Sequence, residues 1–151
     1  QFEYAAALGP DANPALAERR RLTIASIRDG GEMEACVSVQ ALEIFARGQA
    51  QWEGFEVDAR KAQFATMASL VDELYPTLRL NLYDLRQTYS APFTIFGNSR
   101  AAVYLGPTYL VLNASEHIRL LTRRFEDIVR TATVQPHAAA AYLRDLGDRL
   151  G

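Results

Sequence analysis

The pattern of apolar and polar positions predicts five β-strands. Leu78, Leu80 and Leu82 alternate with polar neighbours at period two, which is typical of a strand with one buried side. Glycine, asparagine, serine and proline at 97–99 and 106–107 supply turn geometry between three short apolar runs, so these runs are predicted to form an antiparallel meander. The other predicted strands lie at 33–39, 93–96, 101–105 and 109–112.

Helical periodicity predicts helices before, between and after the strands. Apolar residues recur at helical spacing from Phe64 to Tyr75, and Pro76 marks the predicted end of this helix. Asn113 and Glu116 have the spacing of a capping box, and an apolar stripe follows as far as Ala132, so a helix is predicted to start there. Further helices are predicted at 14–28, 41–47 and 136–150.

These elements predict an α/β (α+β) fold, in which helices cover a mainly antiparallel sheet of about four to five strands with a C-terminal meander. A length of 151 residues fits one core. Residues 1–13 mix small residues with turn formers, and the sequence begins with Gln1. We therefore expect 1–13 to be a linker from a preceding N-terminal domain and 14–151 to form a single domain.

Composition bears on nucleic-acid binding, on the source of the protein and on its cellular compartment. Apolar residues make up 49% and charged residues 23%, the net charge is −2, and Lys61 is the only lysine among sixteen basic residues. Such a balanced charge argues against this segment being the main nucleic-acid surface. The richness in arginine and alanine suggests a bacterial source. With Cys36 as the only cysteine, no apolar run long enough for a bilayer and no signal peptide, we expect a cytoplasmic protein.

The sequence offers no recognisable catalytic or metal centre. His117 and His137 lie on different predicted helices, without the spacing of metal ligands. Cys36 lies in an apolar strand, where a cysteine is usually a small core residue. There is also no nucleophile elbow, and Gly30-Gly31 is not a phosphate loop. We therefore expect no enzyme activity, no cofactor and no metal.

Aromatic and arginine side chains form a candidate ligand site. Alternation places Arg79, Tyr83 and Tyr104 opposite the apolar side of the predicted sheet, and such side chains suit recognition of small molecules or partners. Tyrosines on a sheet that helices cover can equally be packing residues. Together with these three, Arg100 and His117 complete the set of predicted effector contacts.

From Leu78 to Ala132 the chain resembles half of a phospholipase-D-like domain. The resemblance follows the order RLNLYDLR, PFTIFG, RAAVYLG, TYLVLN and RLLTRRFEDIVRTA. This layout also occurs, without catalysis, as the C-terminal portion of some bacterial helix-turn-helix (XRE-type) regulators. Active phospholipases D need a histidine with a lysine two residues later, and Lys61 has no histidine near it. The resemblance therefore implies a non-catalytic scaffold.

The resemblance implies that this chain is an effector-sensing and dimerisation domain of a bacterial transcriptional regulator. Such a domain would form a homodimer, bind a small-molecule effector, and reach DNA through an N-terminal domain outside this chain, without contact with a membrane. Two alternatives stay open. One is a small enzyme with an unrecognised active site, and the other is a protein–protein adaptor that binds through the helix at 118–132.

Overall fold

The computed structural model describes residues 32–96, 99–105 and 108–150, with the backbone alone at Phe96 and Tyr104. The linker predicted at 1–13 and the helix predicted at 14–28 lie outside these residues. Within the described residues ten elements follow one another, one of them a short 3-10 helix. They are β1 (Met33–Ser38), α1 (Val39–Ala46), the 3-10 helix (Ala50–Trp52), α2 (Val57–Leu74), β2 (Leu78–Tyr83), β3 (Phe93–Phe96), β4 (Arg100–Leu105), β5 (Thr108–Leu112), α3 (Ser115–Arg130) and α4 (Pro136–Asp148).

The α+β class and the three-stranded meander are confirmed. Strands β3, β4 and β5 are antiparallel, with Phe93 opposite Val103 and Leu105 opposite Thr108. The five strands in the described part of the chain divide between two sheets, however, because β1 and β2 pair in parallel and form a sheet of their own. Helices α1 and α2 connect β1 to β2, and such a helical crossover is what a parallel pair needs.

The larger core lies between one face of β1–β2 and the helices α1, α2 and α4. Leu80 and Leu82 of β2 face this core. Helices α2 and α4 form the most extensive helix pair, and Gly147 of α4 allows close approach to Phe64 of α2. The largest fully buried side chains of this core are Phe45, Phe64, Leu82 and Leu143.

Helix α3 covers the other face of β1–β2 together with the inner face of the meander. Cys36 of β1, Tyr83 of β2, Phe93 of β3 and Ile128 of α3 form one buried cluster. Strand β2 is thus buried on both faces, as parallel strands usually are, whereas its alternation had predicted a single buried side.

Two helices differ in how their first residues are capped. Ser38 caps α1, its Oγ accepting a hydrogen bond from the backbone N–H of Ala41 at 3.1 Å. The capping box predicted at Asn113 and Glu116 is wrong, because Ala114 keeps extended backbone dihedrals and occupies the N-cap position itself. Strand β5 ends only at Leu112, so helix α3 begins one residue later than that box requires.

Candidate functional site

The five predicted effector contacts are spread over two sheets and a helix terminus. Arg79 and Tyr83 lie on the face of β2 that looks toward α3. Arg100 and Tyr104 lie on β4, on the face of the meander opposite Val103, which packs toward α3. The side chain of Tyr104 is outside the described part of the chain. His117 lies in the first turn of α3.

These residues also differ in exposure and contacts. Tyr83 is only 4% exposed and packs in the α3 cluster, so it is not on an open face as the alternation had suggested. Burial is the main cause that raises the pKa of its phenol. Arg100 and His117 are exposed, and the Nε2 atom of His117 lies 3.9 Å from the Glu116 carboxylate.

Arg79 belongs to a small polar cluster across the two parallel strands. Its Nε atom lies 3.5 Å from Glu34 Oε2, and its Nη1 atom donates a hydrogen bond of 3.0 Å to the Pro76 carbonyl. The side chains of Arg79 and Glu34 are 34% and 27% exposed. This ion pair is therefore open to solvent in part, and an anionic ligand could reach Arg79.

Asn81 lies next to this pair and is fully buried. Its Nδ2 atom donates to Glu34 Oε2 at 3.2 Å and to the Ala35 carbonyl at 3.4 Å. Within the described part of the chain, its Oδ1 atom accepts no hydrogen bond. A buried polar atom without a partner costs about 1–3 kcal/mol. The Glu34 carboxylate therefore has two partners, the charged Arg79 guanidinium and the neutral Asn81 amide.

Cys36 faces Asn81 across the parallel pair and is fully buried. Burial, followed by the charge of Glu34, raises the pKa of its thiol to about 12. A thiol with such a pKa is protonated at neutral pH and is a poor nucleophile. Among residues 32–96, 99–105 and 108–150, no group of three or more histidine, cysteine, aspartate or glutamate side chains is placed to hold a metal ion.

The most unusual surface lies at the outer strand of the meander. Within the described residues, β4 is the only strand neighbour of β5. Four apolar residues of β4 and β5 are more than half exposed, and we call them the open edge: Leu105 at 52%, Tyr109 at 61%, Leu110 at 54% and Val111 at 58%.

Two residues of the open edge, Leu105 and Leu110, lie on the face of the meander that α3 packs against. Antiparallel pairing places Leu110 on the same face as Val103 and Phe93, which is the face that α3 covers. Helix α3 packs against β1, β2, β3 and β4, and Leu110 on β5 remains more than half exposed. An apolar edge strand of this kind is a template for pairing with another strand.

The sequence interpretation did not single out the open edge, although a signal for it exists. No charged residue lies between Arg100 and Glu116, so β5 and most of β4 lack the lysines and acids that usually protect edge strands. The position of a strand at the edge of a meander depends on strand pairing. Alternation along a single strand does not predict that pairing.

No family model, curated protein or solved structure matches this chain. In the part of the chain that the structure describes, no helix combines the length and apolar character needed to cross a membrane.

Proposed function

We propose that this chain is the effector-sensing and dimerisation domain of a bacterial transcriptional regulator, without catalytic activity, and that a separate N-terminal domain binds DNA. The open edge is the observation that carries this proposal. It offers an uncharged, apolar strand whose outer side has no strand neighbour among the described residues. Covering such a surface with a second copy would remove apolar area from water.

The resemblance of residues 78–132 to the C-terminal portion of helix-turn-helix regulators supports the regulatory part. The three-stranded meander followed by α3 has the element order of that resemblance. Self-association suits such a protein, because dimers present two DNA-binding modules at a fixed separation.

Arg79 is the predicted effector contact that the geometry favours. An anionic effector at Arg79 would compete with Glu34, whose carboxylate also accepts a hydrogen bond from buried Asn81. Displacement of Glu34 would alter contacts in β1 and β2, both of which pack against α3. An effector that binds one arrangement of the dimer better than another would thereby shift the population of arrangements.

Sedimentation equilibrium of this chain and a gel-shift assay with the natural full-length protein test the proposal together. We expect the chain to pass from monomer to dimer as its concentration rises, and the full-length protein to retard DNA in a sequence-dependent way. A chain that stays monomeric at every concentration would contradict the dimerisation role. A full-length protein that binds no DNA would contradict the regulatory role.

A further inference from the structure

We infer that β5 pairs antiparallel with β5 of a second copy, with Leu110 at the two-fold axis, so that two meanders form one six-stranded sheet. This inference rests on the proposed dimerisation and names its surface and register. The occupant of the open edge is thus a second copy of this chain, held by backbone hydrogen bonds and by side-chain pairs on both faces of the sheet.

The register follows from the length and composition of the strand. Leu110 is the central residue of the five that form β5, so a two-fold axis there pairs the whole strand. Tyr109 of one copy then lies opposite Val111 of the other, and Thr108 lies opposite Leu112. Aromatic and β-branched side chains are favourable cross-strand partners, and symmetry produces the Tyr109–Val111 pair twice.

Charge favours a second copy as the occupant. Residues 101–115 include no charged side chain, so the pairing brings no like charges together across the axis. Self-pairing of a charged edge strand would instead place each charge close to its own symmetry mate. The open edge is thus neutral throughout and self-complementary in this register.

In this pairing, the face of the meander toward α3 lies on the same side of the six-stranded sheet in both copies. Leu105 and Leu110 lie on the side of the meander that faces the α3 core, yet both are more than half exposed. In the six-stranded sheet the two Leu110 side chains meet at the axis. The apolar layer beneath each meander then continues into the layer of the other copy.

The area involved predicts a weak dimer. An aromatic side chain covers on the order of 150–250 Å², and the open edge has one tyrosine and three smaller aliphatic side chains that are 52–61% exposed, so it can bury at most roughly 400 Å² per copy. Stable interfaces bury about 800 Å² per partner. We therefore expect a weak dimer with a dissociation constant at the upper end of the micromolar range, about 100 μM or more, with backbone hydrogen bonds supplying the geometry.

Disulfide cross-linking tests this register. With Leu110 at the axis, its Cα atoms in the two copies lie about 4.5–5.5 Å apart, which a disulfide can span. Val111 is offset from its own counterpart by two residues, about 6.8 Å along the strand, so its Cα atoms lie beyond disulfide reach. Under a mild oxidant we expect Leu110→Cys to form covalent dimers about tenfold faster than Val111→Cys.

Two controls complete the experiment. Leu120→Cys places a cysteine on α3 rather than on β5, at 59% exposure, and should cross-link as slowly as Val111→Cys. A mixture of Tyr109→Cys and Val111→Cys should form the mixed dimer, because the register places these two positions opposite each other. Native Cys36 is buried and can stay in every variant.

The outcomes separate this inference from the dimerisation proposal. If the chain dimerises in sedimentation but Leu110→Cys cross-links no faster than Leu120→Cys, the strand pairing is refuted and the dimer lies elsewhere. If Val111→Cys cross-links as fast as Leu110→Cys, the register is refuted. A monomeric chain would refute both the pairing and the dimerisation role.

Discussion

The side-chain amide of Gln40 donates a hydrogen bond of 2.7 Å to Asp84 Oδ1. Its oxygen accepts a second bond, of 3.0 Å, from the backbone N–H of Leu85. Arg86 binds the same carboxylate through its backbone N–H and its guanidinium, both at 2.8 Å. These hydrogen bonds therefore join the first turn of α1 to the segment that directly follows β2.

Replacing Asp84 by asparagine should lower stability at neutral pH and weaken its dependence on pH. The hydrogen bonds from Arg86, followed by that from Gln40, hold the pKa of this carboxyl well below its usual range. A carboxyl with a lowered folded-state pKa contributes stability above its unfolded pKa, about 3.9, and that contribution is lost as the pH falls further. Urea unfolding of both proteins across the acidic range measures the difference.

Asp72→Asn is the matched control for that experiment. Asp72 also pairs with an arginine, Arg144, but both side chains are about half exposed. Exposed ion pairs contribute little, so this variant should differ from wild type by less than about 1 kcal/mol at neutral pH. A difference between wild type and Asp84→Asn that stays constant down to pH 2 would contradict the assignment.

Arg60→Met should destabilise the segment between α1 and α2. Arg60 is 9% exposed, and its guanidinium donates to the backbone carbonyls of Phe55 and Ala46. Methionine keeps part of the apolar stem but leaves two carbonyls without these donors, so we expect a loss of about 2–4 kcal/mol. Chemical unfolding measures the loss.

Tryptophan fluorescence gives a local readout for the same variant. Trp52 is the only tryptophan, and its ring lies 5.0 Å from Phe45 and 6.0 Å from Phe55, between centroids. We expect Arg60→Met to shift its emission to longer wavelength, whereas Arg47→Met, at an exposed arginine, should leave it unchanged. Unchanged emission in Arg60→Met would contradict a role for Arg60 in holding this aromatic group.

Asn81→Leu should change the free energy of unfolding by less than about 1 kcal/mol, because removal of the buried Oδ1 that lacks a partner offsets the loss of the Nδ2 hydrogen bonds to Glu34 and to the Ala35 carbonyl. Asn81→Asp should instead destabilise by several kcal/mol, since it buries a second carboxylate beside Glu34. Urea denaturation of the two variants distinguishes these effects. A strong destabilisation by leucine would show that the amide is needed for stability.

Gly147→Val tests the close packing of α2 against α4. A Cβ atom at Gly147 would lie 3.1 Å from the Phe64 Cβ, which is attached directly to the backbone of α2. The helices would have to separate, at a cost of about 1–3 kcal/mol, which outweighs a gain in helix propensity of less than about 1 kcal/mol. Ala141→Val, at an exposed position of α4, should cost less than about 1 kcal/mol. Equal thermal stability of the two variants would contradict this account.

Local patterns in the sequence were sufficient for most element boundaries. The alternation of Leu78, Leu80 and Leu82 predicted β2, and Pro76 correctly marked the end of α2. Strand boundaries in the meander agree to within one residue, because glycine and proline turns delimit short apolar runs. These features depend on neighbours along the chain, which the sequence contains directly.

Features that depend on distant pairing were not predictable in the same way. Tyr83 was placed on an open face because alternation distinguishes two faces of a strand but cannot tell that helices cover both. The parallel partnership of β1 and β2 joins segments more than forty residues apart. The position of β5 at the outside of the meander likewise follows from strand pairing, which alternation along one strand does not reveal.

Sedimentation equilibrium of Leu110→Arg tests self-association through the open edge most directly. Leu120→Arg is the control, since Leu120 is equally exposed but lies on α3. In the proposed pairing, Leu110→Arg places two arginines against each other at the axis, where like charges repel. We expect wild type and Leu120→Arg to dimerise at the upper end of the micromolar range and Leu110→Arg to stay monomeric. Equal dimerisation of all three proteins would contradict the open edge as the dimer interface.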